Sequence, residues 1–170
     1  MVLKFGILTV SDRSAAGQRE DLSGPALVKA VEQAGWTVSS RAVVADDFQA
    51  ITEKLTAWSD RGDCNVILTS GGTGFSPRDI TPEATAAVIE RDAPGLAEAM
   101  RAESMRITPH AMLSRAAAGI RGTTLIINLP GSPKGALENF RVVAPVLDHA
   151  VQLLEGDPEA ESGHRPGRAI

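Results

Sequence analysis

At 170 residues the chain is the size of one domain. Its net charge of −4 excludes bulk nucleic-acid binding, and a single cysteine excludes an intrachain disulfide or a cysteine metal cluster. With aromatics at 4% and no tyrosine, the core must be built from Val, Ile, Leu and Ala. No apolar run approaches the ~20 residues of a membrane span, and residues 1–6 read as a strand start, not a signal peptide. The expected location is therefore cytoplasmic, with no nucleic-acid and no membrane partner.

Taken in chain order, residues 2–10 form a first strand, followed by the polar loop Ser11-Asp12-Arg13. Ser23 and Pro25 open a helix whose apolar face is Leu22, Ala26, Leu27, Ala30, Val31 and Ala34, and Gly35 closes it. Residues 37–44 are a second strand. Ala45-Asp46-Asp47 is the turn after it. There an acid beside the helix start is a natural cap, a role given to Asp47. Ile51, Leu55 and Trp58 make the apolar stripe of the next helix, which Gly62 ends. Residues 65–69 are a third strand, leading into Ser70-Gly71-Gly72-Thr73-Gly74. Thr81, Pro82 and Glu83 then read as N-cap, first helical position and first-turn acid. Residues 84–90 are helical, and Pro94 starts another helix to about residue 106. Residues 107–113 read as irregular and 114–118 as a short helical turn. Residues 123–128 are a further buried strand, Pro130-Gly131-Ser132 a second strand-to-helix turn, and 135–155 the last helix. Beyond Gly156, periodicity gives way to charge, Pro and Gly. The expected division is a domain over 1–156 and a flexible tail over 157–170.

Strands alternating with helices predict an α/β fold: one three-layer domain with a mostly parallel sheet and helices on both faces. Ligands of such folds lie beyond the carboxyl ends of the strands. Four loops occupy that edge: 11–13, 45–47, 70–79 and 130–134. Glycine turns and helix starts there offer N–H donors to phosphate oxygens. Arg13, Arg78 and Lys134 offer positive charge, with Arg13 and Lys134 equally readable as solvated surface groups. Asp12, Asp46 and Asp79 offer carboxylates, which beside phosphate call for a cation, and Mg²⁺ takes one or two carboxylates plus phosphate oxygens. No Gly-Lys-Ser/Thr follows the glycines, so the turn is not a P-loop. His110, His149 and His164 show no ligand spacing for zinc. Cys64 reads as a packed residue at a strand start. Ser132 lacks the surroundings of a hydrolase elbow and reads as a ligand hydrogen-bond donor or a turn serine. The residues alone lead to Mg²⁺-assisted handling of a phosphorylated small molecule.

Thr69-Ser70-Gly71-Gly72-Thr73-Gly74, followed by Pro77-Arg78-Asp79-Ile80-Thr81-Pro82-Glu83, resembles the first signature of the MogA/MoaB molybdopterin-binding family. Asn128-Leu129-Pro130-Gly131-Ser132-Pro133 resembles the second. The likeness runs from about residue 4 to 155 and is greatest to MogA-like molybdopterin adenylyltransferases, including the plant Cnx and gephyrin G-domains. It implies transfer of AMP from ATP to the terminal phosphate of molybdopterin, with Mg²⁺ and release of pyrophosphate. It also implies a homotrimer and a molybdate-inserting partner enzyme. By this resemblance Asp79 and Asp46 are the catalytic, metal-holding acids. Ser11, Asp12, Ser70, Gly71, Gly72, Thr73, Gly74, Arg78, Pro130, Gly131 and Ser132 bind substrate. Ala45 stands where the family has proline. The alternative is a MoaB-like protein that binds molybdopterin without transferring AMP, although Arg78 before Asp79 favours the MogA-like branch.

Overall fold

The computed structural model describes residues 2–158 and residue 160, so most of the expected tail lies outside the described residues. Ala160, at the start of that stretch, is buried.

Strands β1 (Lys4–Val10), β2 (Thr37–Val44), β3 (Val66–Ser70) and β6 (Thr124–Leu129) are mutually parallel, in the spatial order β2-β1-β3-β6. β5 (Ala118–Arg121) and the two-residue β4 (Arg91–Asp92) extend the sheet antiparallel beyond β6. Every residue of β3 and β6 is buried, which is why they read as unbroken apolar runs.

Alternation divides the side chains between two cores. Phe5, Ile7, Val66, Leu68, Leu125 and Ile127 pack against helices α2 (Ser23–Gln33), α5 (Pro94–Met105) and α6 (Pro133–Leu154). Leu8, Val10, Ile67 and Ile126 pack against α3 (Phe48–Asp60) and α4 (Thr81–Val88). The result is the expected three-layer α/β domain. The chain leaves β1 for α2 on one face and β3 for α4 on the other. Because β1 and β3 are neighbours, a crevice opens between their carboxyl ends, and the glycine turn lies in it.

Two differences from the sequence reading lie on either side of α5. Residues 114–118 are not helical; the turn of 3-10 helix falls earlier, at Pro109–Leu113, and Ala118 already belongs to β5. β4 and β5 are too short for a periodic signal, and pairing to β6 defines them. A short helix α1 (Asp12–Ala15), capped by Ser11, also replaces part of the expected first loop. No helix among the described residues is long and apolar enough to cross a membrane.

Candidate active site

The ends of β1, β2, β3 and β6 deliver their loops to one place. A cavity of about 560 Å³ is lined by Ser11, Asp12, Arg13 and Arg19 from the first loop, Asp46 from the second, Gly71, Gly72, Ser76, Arg78 and Asp79 from the third, and Gly131 and Ser132 from the fourth.

The glycines are there because nothing larger fits. Gly71 has φ of 112° and Gly72 of 64°. A Cβ on Gly71 would run into the Val10 carbonyl, and one on Gly72 into the Thr81 hydroxyl and 3.2 Å from Asp46 Oδ1. A Cβ on Gly131 would come 3.2 Å from Gly71 Cα, so the two ligand turns touch backbone to backbone.

Thr81 is not the cap of α4 that its position suggests. It is the first helical residue, fully buried, and its hydroxyl donates to Gly71 O at 2.8 Å. Below it, Asn128 is fully buried and donates to Thr69 Oγ1 (3.0 Å) and Thr85 Oγ1 (2.8 Å), joining β3, β6 and α4 beneath the turn.

The acids form a connected set. The Asp12 N–H donates to Asp46 Oδ2 (2.8 Å), and the Asp46 N–H returns a bond to Asp12 Oδ1 (3.0 Å). Arg78 pairs with the remaining Asp12 oxygen across the cavity mouth. Asp79 accepts from the Ser76 N–H at 2.9 Å. Burial pushes the Asp46 carboxyl above its ordinary range; the Asp12 N–H bond opposes this, the negative charges of Asp12 and Asp79 reinforce it, and Arg78 opposes it. Asp47, as expected, caps α3 by accepting from Ala50 N (2.8 Å).

A set of carboxylates gathered beside a glycine turn suits a divalent cation, so the residues fit Mg²⁺. Among the described residues, no three His, Cys, Asp or Glu side chains gather as a cage. A cation held by Asp46 and Asp79 must therefore complete its shell with substrate oxygens and water, as Mg²⁺ commonly does.

A second cavity, of about 520 Å³, lies on the other side of Ser132 and is more apolar in lining. Thr73, Gly74, Pro130 and Ser132 face it, together with Ile107, Leu113, Arg101, Lys134 and the buried Asn139. The predicted substrate-binding residues thus fall on two adjoining cavities, with Ser132 common to both. Ser132 Oγ accepts from Gly135 N (3.1 Å) as the cap of α6. Ser70 lies apart from both: its side chain is buried, and its hydroxyl donates to Pro130 O at 2.9 Å, bracing one ligand turn against the other.

Three groups escaped the sequence reading. Asp21 accepts from Gly24 N, Thr9 Oγ1 and Ser23 Oγ and pairs with Arg41, so it, not Ser23, caps α2. An Asp three residues before a Gly-Pro helix start is a signal that would have found it. His110 lines the second cavity although its sequence context gave it no role. Arg115 grips the glycine loop from a distant segment, which no local pattern announces. Cys64 is buried, and burial pushes its thiol up, consistent with a packing role.

Comparison with known proteins then decides the family. The family described as "Probable molybdopterin binding domain" matches residues 6–149. This chain belongs to the molybdopterin-binding domain family. It is 43% identical over 156 residues to the molybdenum cofactor synthesis protein cinnamon of Drosophila melanogaster, but spans only 26% of that protein. It is 40% identical over 157 residues to the molybdopterin adenylyltransferase of Helicobacter pylori, covering 91% of this chain and 89% of that one. Among solved structures, the molybdopterin biosynthesis enzyme MoaB of Thermus thermophilus superposes with a TM-score of 0.86 at 48% identity, over 92% of this chain and 99% of that one.

Proposed function

We propose that this protein is a molybdopterin adenylyltransferase of molybdenum cofactor biosynthesis. It transfers AMP from ATP, with Mg²⁺, to the terminal phosphate of molybdopterin. The observation that carries the reading is the meeting of Asp12, Asp46 and Asp79 with Arg78 and two glycine-lined turns in one cavity. The likeness to a named adenylyltransferase over nine-tenths of the chain supports it.

The reaction needs little acid–base help. A phosphate monoester is largely ionised near neutral pH, its second pKa lying at about 6. Its oxygen attacks the α-phosphorus of ATP, a new P–O bond forms, and the bond to the β-phosphate oxygen breaks as pyrophosphate takes the electron pair. The protein's task is to bring two anions into line and to offset the charge that develops. The backbone N–H groups of Gly72, Thr73, Gly74, Gly131 and Ser132 would serve the phosphates, since Gly71 N–H is taken by Leu129 O at 3.2 Å and Pro130 has none. Arg78, paired with Asp12 in the structure, would leave it to meet the departing pyrophosphate. Asp46 and Asp79 would hold Mg²⁺, which neutralises phosphate charge when bound. The apolar second cavity suits the flat heterocycle of one substrate, with the phosphates reaching past Ser132 into the acidic one.

The working assembly in this reading is a cytoplasmic homotrimer that passes its product to a molybdate-inserting enzyme. A single buried cysteine and ATP as co-substrate support the cytoplasm. Light scattering checks the trimer.

A second reading is a MoaB-like molybdopterin-binding protein without transfer, raised by the 48% identity to a protein named MoaB, itself described as a molybdopterin biosynthesis enzyme. Pyrophosphate release with molybdopterin, ATP and Mg²⁺ decides between them. The transferase releases pyrophosphate only when molybdopterin is present; release at background in both cases leaves the binding protein.

A further inference from the structure

Arg115 follows the 3-10 turn Pro109–Leu113 and precedes β5. Its Nε donates to Gly74 O at 2.7 Å, one terminal nitrogen donates to Asp79 O, and the other pairs with Glu83 at the first turn of α4. Its own N–H donates to Thr73 O at 2.8 Å. One residue therefore grips carbonyls at both ends of the segment 74–79, which carries Arg78 and Asp79 into the acidic cavity.

That segment needs an external tie. Phe75, Ser76, Pro77 and Arg78 are exposed, so little apolar burial holds them. Its internal bonds, Asp79 N–H to Ser76 O and Ser76 N–H to Asp79 Oδ2, shape the turn but do not anchor it to the sheet. A guanidinium can serve two divergent carbonyls and a carboxylate at once because its donors form a rigid plane; an ammonium cannot hold that geometry. Arg115 lines neither cavity, so it can influence the reaction only through the groups it holds.

We propose that Arg115 is a positioning residue for adenylyl transfer, fixing Asp79 in the acidic cavity through the carbonyls of Gly74 and Asp79. This rests on the transferase reading above. Displacements of about 1 Å in such groups cost on the order of a hundredfold in rate, so Arg115→Lys lowers kcat by roughly tenfold to a hundredfold. Its melting temperature stays within a few degrees of wild type.

The test is a double-mutant cycle read by calorimetric titration with Mg·ATP, alongside turnover. The variants are Arg115→Lys, Arg115→Gln, Asp79→Asn and the two doubles. If Arg115 acts through Asp79, each Arg115 change weakens Mg·ATP binding in the wild-type background and adds almost nothing in Asp79→Asn. Lysine should also weaken it less than glutamine. Equal weakening in both backgrounds makes Arg115 a general brace and overturns the proposal, as does wild-type kcat in Arg115→Lys. Should Arg115→Gln fail to fold, the lysine arm alone decides. If Asp79→Asn itself leaves both turnover and binding intact, the role given to Asp79 falls and Arg115 cannot act through it. If Asp79→Asn is impaired and Arg115→Lys is silent or additive, only the Arg115 inference fails.

Discussion

The two cavities that meet at Ser132 are held in shape by different physics. The acidic one is a backbone construction. Its walls are a glycine turn at positive φ (Gly71 and Gly72), the Gly131 turn packed against it, reciprocal carboxylate-to-amide bonds between Asp12 and Asp46, and an ion pair across the mouth. The second is a side-chain construction between α5, the 3-10 turn and the start of α6, lined largely by apolar groups. Backbone geometry tolerates almost no change of residue, whereas a side-chain pocket can repack around one. Substitutions should therefore act sharply on the first cavity and gently on the second.

The largest expected effect is Asp79→Asn. In the proposed mechanism Asp79 helps to hold the Mg²⁺ that offsets phosphate charge, so its loss should lower kcat by about a hundredfold or more while the fold is kept. Binding of a heterocycle in the second cavity should survive. Single-turnover kinetics and calorimetry measure the two separately, and wild-type turnover in this variant ends the catalytic assignment.

Gly72→Ala comes next. The left-handed backbone costs about 1–2 kcal/mol for a residue with Cβ, and the clash with Thr81 adds to it. Denaturant titration should show the loss together with a collapse of activity. A variant as stable and active as wild type shows that the turn is softer than its contacts imply.

Acid should loosen the first side through Asp21, which braces the start of α2 and the floor strand at Thr9. Burial raises this carboxyl, but bonds from the Gly24 N–H, Thr9, Arg41 and Ser23 outweigh burial and leave it below the ordinary range. A depressed folded value means its contribution is complete above the unfolded carboxylate range near 3.9 and is lost as pH falls from there through the lower folded value. Melting temperatures of wild type and Asp21→Asn should therefore converge as pH falls from about 4 to about 2. A gap that stays constant over that range removes Asp21 from the account.

The smallest effect belongs to Lys134→Ala at the rim of the second cavity. Its ammonium is 80% exposed and 3.8 Å from Glu138, so stability should change by about 0.5 kcal/mol or less. A large rise in KM for either substrate would reveal a direct ligand contact that exposure does not suggest.

Legibility in the sequence followed the same division. The parallel strands announced themselves because burial on both faces demands unbroken apolar runs, as in Val66-Ile67-Leu68. The acidic cavity was legible too, since strand ends, glycines and caps are local signals and the sheet rule gathers them at one edge. Asp47 as cap and Asp46 as the cavity-facing acid could both be read from the turn alone. The second cavity could not. Apart from Thr73, Gly74, Pro130 and Ser132, its lining comes from α5, the loop after it, the 3-10 turn and the start of α6, where Ile107, His110 and Asn139 share no motif. Thr81 was misread for a related reason: its sequence position says cap, yet the Gly71 carbonyl ten residues earlier takes its hydroxyl.

By itself the sequence determined the layers, the glycine turns and the acids that line the first cavity, because each depends on neighbours within a few residues. Only the tertiary structure decided that β5, the strand beside β6, runs antiparallel, that Ser70 is a brace, and that Arg115 reaches 41 residues back to hold Gly74. Those contacts form only when distant segments are brought together, and a hydrogen bond across such a distance leaves no periodic trace in the chain.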